Sequence, residues 1–154
     1  MKVPWRPGYS LTIDKIIKSS LALDPGREIV YRVTSGGDRV EGYDYSRAFD
    51  RMNALANALS ALGIKRGDRV ATLDWNTHWH YEVYFTVPMM GSVLHTVNVR
   101  LAPFEIEYIM NHAEDKVAIV HSDFVKLMEL VAPKVKSLEA VVVVDSDGVP
   151  ERIG

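Results

Sequence analysis

The side chains in this sequence that could do chemistry are five histidines (His78, His80, His95, His112, His121), an aspartate that closes an apolar run (Asp74), two serines beside such runs (Ser92, Ser122), and the pair Asn98 and Arg100. Histidines that share a metal must project from one face. His78 and His80 are two apart in a stretch with helical spacing, which turns them about 200° away from each other. No third ligand stands at metal spacing and no HExxH occurs, so ordinary structural roles are the reading for the histidines. His112 falls near an expected helix C-terminus, where a cation answers the helix dipole. The chain has no cysteine, which removes disulfides, zinc–thiolate sites and thiol nucleophiles together. Neither Ser92 nor Ser122 lies in the Gly-x-Ser-x-Gly turn that exposes a nucleophile.

Asn98 and Arg100 stand just past the end of an apolar run, at the edge of a parallel sheet where ligands and domain contacts gather. They are the candidate site residues. The plainer reading has Asn98 shaping the turn and Arg100 pairing with a carboxylate to hold the loop. Asp74 occupies the same kind of edge and has the chemistry of a general base, but nothing nearby supplies a nucleophile or an acid partner, which favours a solvated or capping carboxylate. A phosphate cradle needs glycines so that backbone amides can approach the oxygens. The segment Asp74-Trp75-Asn76-Thr77 has none, and neither GxGxxG nor GxxxxGK[ST] occurs anywhere. Met89 and Met90 beside Trp79 and Phe85 invite an acyl pocket, yet a core stripe is the commoner use of such residues.

The elements that would position these groups can be read from periodicity. After an irregular arm over 1–9, Leu11, Ile13, Ile16, Ile17 and Leu21 predict a short helix that Ser10 could cap, ended by Asp24-Pro25-Gly26. EIVYRV (28–33), the turn SGGD (35–38) and a run near 40–43 predict an antiparallel hairpin. Ser46 then caps a helix whose apolar face holds Phe49, Met52, Leu55, Ala56, Leu59 and Leu62, with Gly63 at the left-handed C-cap. From there, apolar runs at 69–74, 92–98, 116–121 and 140–145 predict parallel strands buried on both faces. Helices fill the intervals: one over 77–90 kinked by Pro88, one opened by Pro103 with Glu105 and Glu107 near its positive end, and one after Asp123 bent or ended by Pro133. The fold class is therefore α/β: a partial doubly wound, mainly parallel sheet with flanking helices and an N-terminal β-hairpin.

The chain of 154 residues is one domain's worth. Its formal charge of -2 offers no basic field, so nucleic acid is not an expected partner. No apolar run approaches the roughly 18 residues of a membrane helix and the N-terminus is not a signal peptide, so a soluble, cytoplasmic protein is expected.

The segments GDRVATL (67–73), YFTVPMMGSVLHTVNVRL (84–101) and EIEYIMNHAEDKV (105–117), with the surroundings of Asn76 and His80, resemble the adenylate-forming acyl-CoA synthetases, specifically the medium- and long-chain fatty acid CoA ligases. The resemblance covers nearly the whole chain, least over 1–27 and most over 45–120. It implies a parent enzyme that joins a fatty acid to AMP and passes the acyl group to coenzyme A, using ATP and magnesium. In that family a Thr/Ser/Gly-rich loop closing with Pro-Lys-Gly and a mobile C-terminal domain carry the chemistry, and neither has a counterpart here. The implied layout is the first part of the N-terminal region, with arm, helix and hairpin over 1–44 and an α/β layer over 45–154. No catalytic, cofactor-binding or metal residue is assigned within it, and the chain alone is expected to be inactive. Its implied partner is the remainder of the parent enzyme, with a homodimer left open. Val99 departs from the family, where proline often follows the asparagine. A non-catalytic interaction or dimerisation module, an aryl-CoA ligase and a luciferase-like enzyme are the alternative readings.

Overall fold

The computed structural model describes residues 12–33, 39–145 and 152–153, the last two by their backbone. Ser10 and the SGGD turn lie outside the described residues. Helix α1 (Asp14–Leu23) leads into an antiparallel hairpin of β1 (Glu28–Val33) and β2 (Arg39–Asp44), in register from Glu28↔Asp44 to Val33↔Arg39. Ile17, Tyr43, Ala48 and Met52 bury the seam between this unit and the helices behind it.

Helix α2 (Tyr45–Ala61) is capped by Asp44, whose carboxylate accepts from the Arg47 N–H at 2.8 Å. The Ser46 cap read from the sequence is corrected: the Ser46 N–H goes to the Pro25 carbonyl instead. The helix ends as a Schellman motif. Gly63 at φ 88 donates to Ser60, and Ile64 donates to Leu59, against which it also packs. The buried face of α2 is centred on Ala48, Met52 and Leu59, while Leu55 and Ala56 are only half-buried.

The second sheet has the order β4-β3-β5-β6-β7, with β3 (Arg69–Leu73), β4 (Val93–Thr96), β5 (Val117–His121) and β6 (Ala140–Val144) parallel and β7 (Arg152–Ile153) antiparallel to β6. Alternation along the strands sorts the core into two layers. Val70, Val117 and Ile119 meet α2 and α3 (His78–Met89) on one face, through Leu59, Val83 and Val87. Ala71, Leu73, Ala118 and Val120 meet α4 (Pro103–Ala113) and α5 (Val125–Val131) on the other, through Ile106, Met110, Met128 and Val131. The chain steps outward from β3 to β4 with α3 on one face, then returns past β3 to β5 and β6 with α4 and α5 on the opposite face. This is the double winding that right-handed crossovers require.

Several local expectations need adjustment. The 92–98 run, expected to be buried on both faces, is an edge strand with Val93 51% exposed, because only β3 neighbours it. The helix after Asp123 begins as a 3₁₀ turn, Ser122–Phe124, and Pro133 falls in a second such turn, Ala132–Lys134, that continues α5. Pro88 lies in the last turn of α3, one residue before its end. No described helix is long and apolar enough to cross a membrane.

An ion pair between a half-buried arginine and a buried glutamate locks the hairpin, α2 and α3 together. Arg51 Nε lies 2.5 Å from Oε1 of Glu82, which is 2% exposed, and the Tyr43 hydroxyl donates to the same oxygen at 2.7 Å. Burial pushes the Tyr43 phenol well above its usual range. The Arg51 guanidinium also lies over the Trp79 ring at 4.7 Å. Next to it His78 stacks on Tyr31, with ring centroids 4.1 Å apart. Burial and then the Arg51 charge bring its imidazole down from 6.5 to about 4.

Candidate functional site

The loops after β3 and β5 leave the sheet toward opposite faces, so the crevice between these neighbouring strands is the topological switch point at which open α/β sheets bind ligands. Three polar residues ring it, each at the carboxyl end of an apolar run: Asp74 after β3, His121 ending β5, and Asp145 after β6.

Asp74 is held from below. Its Oδ2 accepts from the Thr77 hydroxyl at 2.7 Å, and the Thr77 oxygen in turn caps α3 by accepting from the His80 N–H at 3.3 Å. Oδ1 of Asp74 is buried without a hydrogen-bond partner among the described residues. Burial raises the Asp74 carboxyl above the ordinary carboxylate range, opposed by the Thr77 hydrogen bond and by His121 and His80.

His121 is 4% exposed and fully engaged. Its Nδ1 accepts from the Asp123 N–H at 3.2 Å, which leaves the proton on Nε2, facing Asp145 Oδ2 at 3.2 Å. Asp145 meets it from a left-handed backbone conformation, φ 58. Trp75 closes the front: its indole N–H donates to Asp123 Oδ2 at 2.8 Å and its ring packs on Phe124.

Asn98 and Arg100 follow β4, on the far side of β3 from this crevice. Asn98 Oδ1 accepts from the Arg100 N–H at 3.0 Å and both side chains are exposed. Among the described residues no ion pair involves Arg100. The histidines disperse: His78 to Tyr31, His80 toward Thr72 and Tyr84, His95 to the buried Asp115 at 2.7 Å, His112 onto Tyr108. Among the described residues no group of three or more His, Asp or Glu is arranged to hold a metal ion. Phe85 and Met89 pack against the core under the hairpin and Met90 against the layer beside it, as a core stripe would.

The crevice does not fit a nucleotide phosphate. Its rim carries the carboxylates of Asp74, Asp123 and Asp145, and the segments 74–77 and 121–124 contain no glycine to bring backbone amides forward. What it can do is fix the relative positions of three loops. In the sequence His121 stood only as one of five histidines with ordinary structural roles, and Trp75, Asp123 and Asp145 carried no site role. The signal available was that three apolar runs each end in Asp or His.

A family model described as AMP-binding enzyme matches residues 18–153. A long-chain-fatty-acid–CoA ligase of Thermus thermophilus is 42% identical over 135 residues, covering 88% of this chain and 25% of that protein. A 3-methylmercaptopropionyl-CoA ligase of Ruegeria pomeroyi is 38% identical over 109 residues, covering 71% of this chain and 20% of that protein. The chain thus spans a quarter or less of the length of these curated relatives. Among solved structures, an anthranilate CoA ligase in complex with anthranoyl-AMP superposes with a TM-score of 0.79 over 90% of this chain and 26% of that one, at 24% identity, a likeness of fold.

Proposed function

The chain belongs to the AMP-binding enzyme family, and from that premise we propose that it is the first part of an acid–thiol ligase that activates a fatty acid as its acyl-adenylate and transfers the acyl group to coenzyme A. The observation that carries the reading is the 42% identity, over 88% of the chain, to a protein named for that activity on long-chain fatty acids. The fatty acid is the finer part of the proposal. The 3-methylmercaptopropionyl-CoA ligase is 38% identical, so kinship at this level spans different acyl groups.

In this reading residues 1–44 are the entry and 45–154 the first α/β layer of a longer N-terminal region, working in the cytoplasm. ATP, magnesium and coenzyme A are held by parts of the parent outside the described crevice, because its rim is acidic and its segments 74–77 and 121–124 contain no glycine. The role of the described residues is positional. The Asp74–Thr77 and His121–Asp145 links fix the carboxyl edge of the sheet, and the Arg51–Glu82 pair fixes the hairpin against it. The 154-residue chain alone is inactive.

The test is thioester formation by the product of the whole reading frame, supplied with ATP, magnesium, coenzyme A and a panel of acids. Medium- and long-chain fatty acids should give the highest kcat/KM. Preference for an aryl acid by tenfold or more would replace the fatty acid by the aryl reading.

A further inference from the structure

The two faces of the parallel sheet are unequally covered. On the α4 and α5 side Val141 and Val143 of β6 are buried. On the α2 and α3 side Ala140, Val142 and Val144 are only half-buried, and an open groove of about 360 Å³ runs between β6 and the two helices. Leu55, Ala58, Val83, Val142 and Val144 line it, and Ala58 is exposed within it. At one end the Trp79 indole N–H is buried without an acceptor among the described residues.

We propose that this groove is the seat of a helix from the same polypeptide, outside these 154 residues. The inference rests on the reading that the chain is part of a longer ligase, since its matched relatives are about three and a half times as long. Sheets of this kind bury both faces under helices. The half-buried strip along β6 is an element-long apolar face of the kind that a single helix covers. The groove does not suit a charged small molecule, because its charged groups are engaged internally: Arg51 is paired with Glu82, and Asp145 faces His121. Among the described residues the donor left unmet there is the Trp79 N–H, which a carbonyl or hydroxyl of the seated helix would satisfy.

The sequence has no cysteine, so a single Ala58→Cys substitution reports the groove directly. The substitution is made in the 154-residue chain and in the product of the whole reading frame, and maleimide labelling of the peptide containing residue 58 is followed by mass, each relative to the urea-unfolded form. Labelling should be slowed less than tenfold in the short chain and more than a hundredfold in the long one, independently of protein concentration. Val144→Cys should behave the same way. Equal labelling in the two proteins overturns the proposal, as does protection that disappears on dilution, which would make the occupant a second copy. Acid-dependent pyrophosphate release is measured on the same long protein. Protection without activity sinks the ligase reading and leaves the seat standing, and activity without protection does the reverse.

Discussion

The indole N–H of Trp75 donates to Asp123 at 2.8 Å, tying the loop after β3 to the loop after β5 across the crevice where their paths diverge. The bond is exposed, so its contribution is that of an ordinary hydrogen bond, about 1 kcal/mol. Trp75→Phe and Asp123→Ala should each lose about that much in urea denaturation, and the double variant little more than the larger single loss. Simple addition of the two losses would mean that the loops are not coupled through this pair.

The Arg51–Glu82 pair should behave as a buried charge whose partner matters more than its presence. Arg51→Met leaves the Glu82 carboxylate, 2% exposed, with only the Tyr43 hydroxyl among the described residues, and should destabilise the fold by about 3 kcal/mol. Adding Glu82→Gln to that variant should recover most of the loss. Failure of the second substitution to rescue would show that the arginine acts through packing over Trp79.

His78 gives the fold a pH dependence of definite sign. Its folded pKa of about 4 lies below the ordinary 6.5, so between these values the unfolded chain takes up a proton that the folded chain refuses. Its contribution is complete above about pH 6.5 and is lost as the pH falls toward 4. His78→Phe, which keeps the stack on Tyr31, should flatten the stability profile in that window. An unchanged slope between pH 6.5 and 4 would remove His78 from the account.

Asp74 works in the opposite sense. With its carboxyl raised by burial, the folded chain binds the proton more readily than the unfolded one, so the ionised group weakens the fold at neutral pH. Asp74→Asn, whose carbonyl still accepts from Thr77, should stabilise at pH 7, and the gain should vanish below the unfolded value near 3.8. A net loss at pH 7 would mean that the carboxylate has a partner outside the described residues.

Much of the architecture was legible because both faces of β3 and β5 are buried, which writes them as uninterrupted apolar runs, and because Gly63 marks the end of α2 where a positive φ is needed. The start of α2 was less legible. Asp44 and Ser46 both cap well, and Asp44 wins because pairing with Glu28 at the end of the hairpin sets its extended backbone. β7 has two residues and no pattern to read. Asp74, His121 and Asp145 were visible singly, but their meeting depends on the strand order β3-β5-β6, which the return crossover past β3 creates and no local spacing encodes. Asn98 and Arg100 satisfied the same edge rule, but β4 is the outer strand and carries them away from that crevice.

Adenylation by the protein of which these residues are part is the activity on which the proposed ligase function depends. The decisive measurement is pyrophosphate release by the product of the whole reading frame, with ATP and magnesium, with and without a long-chain fatty acid and before any coenzyme A is added, beside the 154-residue chain under the same conditions. Acid-dependent release is expected from the long protein and none from the short chain. No acid-dependent release from a folded full-length protein, or release from the 154 residues alone, would contradict that proposal.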